Sequence, residues 1–322
     1  MHLFLDANIY LGFFKLSGDD LEELRKLAVA VRSGDTVLYL TDQVRDEFSR
    51  NRASTISESL KVVEGAQLPK AYPRLLTNLD GYSEMRKSLE LFEQQRGALL
   101  DQARGAALAG DLHADHLIRE LFAIARRVPL SAEIQSAAEA RHRLGNPPGK
   151  RDSLGDSMNW ESLLSVVPMG AELVLVSADR DYASKLDPQL VDEFLFTEWS
   201  EVKKARVLLY DSLTAVFKAH YPAIRLAADL ERSLAIDALI ASPTFRATHL
   251  SIQKLSDFVD FTPSEAASLI EAAISNSQIR LIIGDDDVRA FYATLMERFG
   301  DRLPEAGVAR VREALAAFDE LM

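Results

Sequence analysis

Four acidic residues stand where short apolar runs stop or helices begin. Asp6 ends His2-Leu3-Phe4-Leu5, and Asp179 follows the run Glu172-Leu173-Val174-Leu175-Val176-Ser177 after one residue. Asp156 opens a helix behind a glycine- and proline-containing loop, and Glu47 lies in VRDEF, just after Thr36-Val37-Leu38-Tyr39-Leu40. Carboxylates brought together repel: two unit charges ~4 Å apart cost about 4 kcal/mol at an effective dielectric of ~20. Protons can relieve that repulsion by raising a pKa, or a divalent cation can. The chain has no cysteine, and its six histidines show no ligand spacing. A donor set of oxygens alone suits the hard ions Mg²⁺ and Mn²⁺. Such an ion lowers the pKa of bound water and stabilises charge on a phosphate undergoing in-line displacement.

Bringing the acids together needs a scaffold, and the pattern supplies one. The segment DDLEELRKLAVAVRSG spaces Leu21, Leu24, Leu27, Ala28 and Val31 as a helix, starts on Asp caps and stops at Gly34, so the first two apolar runs and this helix form a β-α-β unit. Val44 to Asn51 is helical, and from about 54 to 143 the chain is rich in Ala, Leu, Glu and Arg, which favours helices. GNPPGK breaks helicity as a loop, and DSMNWESLLSVV resumes it with Asp156 at or near the N-cap. Leu173 to Ser177 is the strongest strand signal; Phe194-Leu195-Phe196 and Arg206 to Tyr210 are expected as further strands. Beyond about Ser212 the signal is helical, and Thr262-Pro263-Ser264-Glu265 reads as a helix start. Alternating strands and helices imply a parallel sheet, and ligands of such sheets bind outside the carboxyl ends of the strands. The expected organisation is an α/β domain over 1–215, with a helical insertion at about 55–145, followed by a helical region over 216–322.

Composition narrows the function classes. With 322 residues, 48% hydrophobic and 27% charged, the chain is globular and long enough for two domains. Thirty-seven Lys and Arg against 49 Asp and Glu give −12, so wholesale electrostatic binding of nucleic acid is excluded and any phosphate must be gripped locally. The absence of cysteine excludes disulfide frameworks, thiolate metal sites and a thiol nucleophile. Neither a secretory-type N-terminus nor a membrane-length apolar window is seen, so a soluble, cytoplasmic chain is expected.

In order, LFLDANIYLG, LYLTDQVRDEFSRNR, GNPPGKRDSLGDSMNWESLL and LVLVSADRDYAS resemble the four acidic motifs of the PIN-domain ribonuclease family. GDSMNWE after a PPGK loop is most similar to a PIN-like subfamily of larger bacterial proteins, over roughly residues 1–210. The resemblance implies that Asp6, Glu47, Asp156 and Asp179 are the acidic quartet that holds Mg²⁺ or Mn²⁺. It implies that Asn8 is the small polar residue two after the first acid, and that Ser177 is the hydroxyl two before the last, which steadies the site. It further implies an endoribonuclease acting on RNA, with an antitoxin as a candidate protein partner. The chain departs from small PIN toxins in the long segment between Glu47 and Asp156 and in its helical C-terminal region.

Other residues have plainer alternative roles. Asp152, Glu161 and Asp181 are candidate accessory acids, with solvated surface charge as the alternative. Arg143, Lys150 and Arg151, with Arg141, surround the loop before Asp156 and are candidate RNA phosphate contacts. Asp285-Asp286-Asp287 fits a helix start better than a metal run, and Trp160 and Trp199 fit the core better than base stacking. The helical C-terminal region lacks a basic stripe, which fits protein contact or homo-oligomerisation. The leading reading is metal-dependent hydrolysis of RNA by water. Its rivals are a structure-specific 5′-nuclease on DNA with the insertion as an arch, and a PIN-like module that binds RNA or protein without cleaving. An aspartyl phosphatase is disfavoured, because the second acid it needs is Asn8 here.

Overall fold

A computed structural model describes residues 1–15, 19–65, 68, 72–149, 153–222, 224, 226–258, 261–300 and 308–313. The chain divides into two compact units, Met1–Ile224 and Arg225–Met322.

The first unit is built on β1 (His2–Leu5), α1 (Ala7–Gly12), α2 (Leu21–Arg32), β2 (Val37–Thr41), α3 (Asp42–Gly65), α4 (Tyr82–Ala109), α5 (His113–Ile124), β3 (Arg126–Val128), α6 (Ala132–Leu144), α7 (Gly155–Val166), β4 (Leu173–Val176), α8 (Glu193–Lys203), β5 (Val207–Tyr210) and α9 (Leu213–His220). All five strands are parallel, in the order β3-β2-β1-β4-β5. Helices cover both faces, so the central strands are apolar at successive positions instead of alternating: Leu3, Phe4 and Leu5 are buried, as are Leu173 to Val176. The register Leu5↔Val176 sets the ends of β1 and β4 side by side, which brings the residues following them to one edge.

Two local outcomes differ from the sequence expectations. Phe194-Leu195-Phe196 begins α8 and is not a strand: the Asp192 carboxylate accepts from the amides of Phe194 and Leu195, and Leu195 and Trp199, one turn apart, are buried. An apolar triplet is too short to show its period, and here the cap decides. Conversely, Arg126–Val128 is a sheet strand inside the segment expected to be helical; with a single apolar residue it carries no strand signal, and it is held by pairing with β2. The segment is therefore not a pure insertion, since α5 packs on α2 and β3 completes the sheet. As expected, Asp156 lies near the N-cap of α7, in the first turn after Leu154.

Trp160 and Trp199 pack together in the core, with ring centroids 5.4 Å apart. Among the described residues no helix is long and apolar enough to cross a membrane.

The second unit contains α10 (Ala227–Ile240), α11 (Phe245–Ser256), α12 (Pro263–Ser275), α13 (Ser277–Leu281) and α14 (Asp286–Phe299), with a further helical stretch at 308–313. Leu239, Ile252, Leu255, Leu269, Ile270, Val288 and Tyr292 form its core. Thr262 and Glu265 make the reciprocal cap that starts α12. Asp285 to Asp287 occupy the start of α14, where acids meet the positive end of the helix dipole.

Candidate functional site

Asp6 is the buried one of the four candidate acids, and two strands and a helix fix its place. Its amide donates to Val176 O at 2.9 Å, continuing the β1–β4 ladder one residue past the strands. Its side chain caps α1: Oδ1 accepts from the Ala7 amide at 2.8 Å. Oδ2 accepts from Asn8 Nδ2 at 2.8 Å and from Ser177 Oγ at 2.8 Å. Asn8 Nδ2 also reaches Ser177 Oγ at 3.1 Å, and Asn8 Oδ1 accepts from the Ala178 amide at 3.1 Å. Ser177 Oγ accepts in turn from the Asp179 amide at 3.3 Å. Asn8 and Ser177 thus lace the ends of β1 and β4 together around the Asp6 carboxylate.

Burial pushes Asp6 up to about 6. The hydrogen bonds from Ser177 and Ala7 oppose the shift, while the charges of Glu47 and Asp179 add to it. Glu47 and Asp179 are thus near enough for their charges to act on Asp6. Glu47 projects from the second turn of α3, half-buried, with Gln43 Nε2 3.3 Å from its Oε2. Gln43 lies across the start of α7, where a Cβ on Gly155 would meet its Nε2 at 2.7 Å. Asp156, next along, is half-buried, and Asp179 is exposed.

Between the acids lies a second layer that sequence reasoning did not identify. Thr41 Oγ1, at the end of β2, donates to Asn159 Oδ1 at 2.6 Å and accepts from the Val44 amide at 3.1 Å, pinning α7 to the start of α3. Tyr182, in the 3₁₀ turn Arg180–Tyr182 behind Asp179, is fully buried, and among the described residues its hydroxyl makes no hydrogen bond of good geometry. Asn159 Nδ2, beside it, is buried in the same way. Burial raises the Tyr182 phenol well above its ordinary range, the charges of Asp156 and Asp6 raise it further, and the Asn159 side chain beside it opposes the shift. Asn159 sits one turn after Asp156, and Tyr182 takes the aromatic place after ADRD; these spacings were the available signal.

The remaining candidates divide. Asp181 is half-buried in the turn that carries Tyr182. Glu161 does not join the acids: its Oε1 accepts from Arg141 Nε at 2.7 Å. Arg141 also reaches Glu198 at 2.5 Å and Pro147 O at 2.6 Å, and Glu198 takes Trp160 Nε1 at 2.7 Å. Buried in this network, Arg141 is a structural cation and not a phosphate contact. Arg143 is exposed and donates to Glu139 O at 3.3 Å. Asp152, Lys150 and Arg151 lie outside the described residues.

Among the described residues, no three acids or histidines are grouped closely enough to form a ready-made metal cage. The donor chemistry nonetheless fits a hard divalent ion: the surrounding groups are carboxylates and neutral oxygen or amide side chains, and Asp6 is pushed toward protonation mainly by burial and to a lesser degree by like charges that a cation would offset.

The family model of the PIN domain matches residues 3–182, more than half of the chain. Comparison with the curated proteins and with the solved structures found no match.

Proposed function

Since the chain belongs to the PIN-domain family, we propose that its acidic edge is a divalent-metal-dependent nuclease site that hydrolyses RNA phosphodiester bonds with water as nucleophile. Asp6, Asp156 and Asp179 would hold the ion, directly or through water, and Glu47 would help to hold it or take the proton of the attacking water. A bound Mg²⁺ or Mn²⁺ supplies an acidified water and neutralises charge on the phosphate. Asn8 and Ser177 fix the Asp6 carboxylate by donating to Oδ2, and Gln43 steadies Glu47.

The observation that carries this reading is the buried Asp6 at the carboxyl edge of a parallel sheet, raised to about 6 with Glu47 and Asp179 bearing on it. A carboxylate whose ionisation is opposed by burial and by neighbouring acids, at the edge where parallel sheets bind ligands, fits a functional role better than packing.

Structure-specific cleavage of DNA is the second reading, and one observation favours it. Helix α4 runs 28 residues with Leu100 as its sole buried side chain, as an arm over a bulky substrate would. Incubation of the purified protein with labelled RNA, single-stranded DNA and branched DNA, in Mn²⁺ and in chelator, tests both. Metal-dependent cleavage of RNA alone supports the first reading, preference for branched DNA supports the second, and chelator-resistant cleavage overturns the site.

A further inference from the structure

Glu47 lies in the second turn of α3 and Asp156 in the first turn of α7, so the spacing of the two acids is the spacing of two helix starts. Two side-chain ties join those starts. Thr41, the residue before α3, donates from Oγ1 to Asn159 Oδ1 at 2.6 Å and accepts from the Val44 amide at 3.1 Å. One hydroxyl thus caps the helix that carries Glu47 and holds the other helix one turn on from Asp156. Thr41 is 1% exposed and Asn159 0%, so solvent does not compete for their bond. The second tie runs through Gln43, whose Nε2 donates to Glu47 Oε2 at 3.3 Å. That nitrogen lies so close to the start of α7 that a Cβ on Gly155 would meet it at 2.7 Å, and glycine permits the approach.

An apolar pair of similar shape would hold two packed helices about as stably, because the gain from a buried hydrogen bond is largely offset by the desolvation of its partners. What an apolar pair lacks is direction, and a directed buried bond fixes one arrangement of the helices. Groups that act together must be held within about 0.5 Å of their working positions, and Mg²⁺ in particular demands near-ideal octahedral geometry. We propose that Asn159, held by Thr41, is a positioning residue of the cation site, fixing the start of α7 against the start of α3 so that the Asp156 and Glu47 carboxylates can serve one ion. The inference rests on the reading of these acids as a cation site. Asn159 and Thr41 touch neither the ion nor the phosphate; they act through the helices that carry the acids.

Lys203 supplies an internal control at the other end of α7. It is buried, and its Nζ donates to the carbonyl of Val167, where the helix stops. Lys203→Ala therefore loosens the same helix away from the acids. The experiment is a titration of the full chain with Mn²⁺, followed by the electron paramagnetic resonance of free ion, with thermal unfolding of each protein in chelator. The proteins are wild type, Thr41→Val, Thr41→Ser, Lys203→Ala and the double variant Thr41→Val with Asn159→Leu, which keeps the packing and removes the polar pair. Thr41→Val and the double variant are expected to bind Mn²⁺ roughly tenfold more weakly. Thr41→Ser, which keeps the hydroxyl, is expected to bind as wild type. Lys203→Ala is expected to unfold at lower temperature and yet bind as wild type. Wild-type affinity in the double variant would overturn the assignment, and so would an equal weakening in Lys203→Ala, since affinity would then only follow stability. A double variant that failed to fold would overturn it as well, by showing that the fold itself needs the pair. A wild-type chain that binds Mn²⁺ and cleaves no nucleic acid would sink the nuclease reading and leave this one standing; one that binds no Mn²⁺ removes both.

Discussion

The Ser177 hydroxyl donates to Asp6 Oδ2 at 2.8 Å, joining residues that stand just past the paired ends of β1 and β4. That bond favours the ionised form of Asp6 against burial. Ser177→Ala should therefore raise the Asp6 pKa beyond about 6 and move the acid limb of a pH–rate profile to higher pH, at a stability cost of about 1 kcal/mol. An unmoved acid limb would mean that Asp6 does not govern it.

Asp6→Asn should abolish cleavage and leave the fold in place. Because the folded pKa, about 6, lies above the ordinary 3.8, the folded chain holds a proton between those values that the unfolded chain has released. This group's stabilisation is full below the lower value and is lost as pH rises through the upper one. The loss approaches roughly 3 kcal/mol by neutral pH, at about 1.4 kcal/mol per pKa unit. The substitution removes the charge but turns an amide toward Asn8 Nδ2, so a net gain of about 1 kcal/mol is expected in chelator at pH 7. The difference in unfolding temperature between variant and wild type should shrink from pH 7 to pH 5 and reverse when Mn²⁺ is added to both. Wild-type turnover in the variant would reject the metal-site mechanism.

The places of Asp6 and Asp179 just past strands were legible in the sequence because each follows a run buried on both faces, and such runs announce both the strand and its end. The places of Asp156 and Glu47 in the opening turns of helices were legible from helix starts. Tyr182 and Asn159 were not, since an aromatic and an amide in apolar surroundings look like core until the contacts of their polar atoms are seen. Strand β3 was hidden for a related reason: Arg126 and Arg127 join the sheet by backbone pairing with Tyr39 and Leu40, which side-chain type does not report. Glu161 was misplaced because one helical turn from Asp156 suits either the site or a neighbour, and Arg141 decides between them.

Arg141 and the cations after it should separate by experiment. Arg141→Met strands Glu161 and Glu198, both less than a third exposed, and should destabilise the fold by roughly 3 kcal/mol in urea unfolding. Its effect on the salt dependence of RNA binding should be nil. Neutralising Lys150 and Arg151 together should do the reverse, leaving stability unchanged and flattening the log–log salt slope by about 0.7 per phosphate contact removed. Equal slopes in the wild type and the double variant would show these to be solvated charges without a role in binding.

The last prediction concerns where the chain can be cut. Helix α9 belongs to the first unit by its contacts: the amides of Leu213 and Thr214 donate to the Asp19 carboxylate at 2.6 and 3.2 Å. Leu213, Val216 and Phe217 are buried, Lys26 Nζ lies 5.3 Å from the centre of the Phe217 ring, and Tyr221 Oη donates to Asp35. A cut after residue 215 removes Val216 and Phe217, and burial of such side chains stabilises by about 1.5 to 3 kcal/mol each. A chain ending at Ile224, where the first compact unit ends, keeps all of these contacts. The 1–224 protein is therefore expected to unfold cooperatively and to retain metal-dependent cleavage, while the 1–215 protein should lose about 4 kcal/mol of stability or fail to stay soluble. Equal unfolding midpoints for the two would remove α9 from the core of the first unit. Inactivity of a well-folded 1–224 protein would instead make the helical unit part of the chemistry.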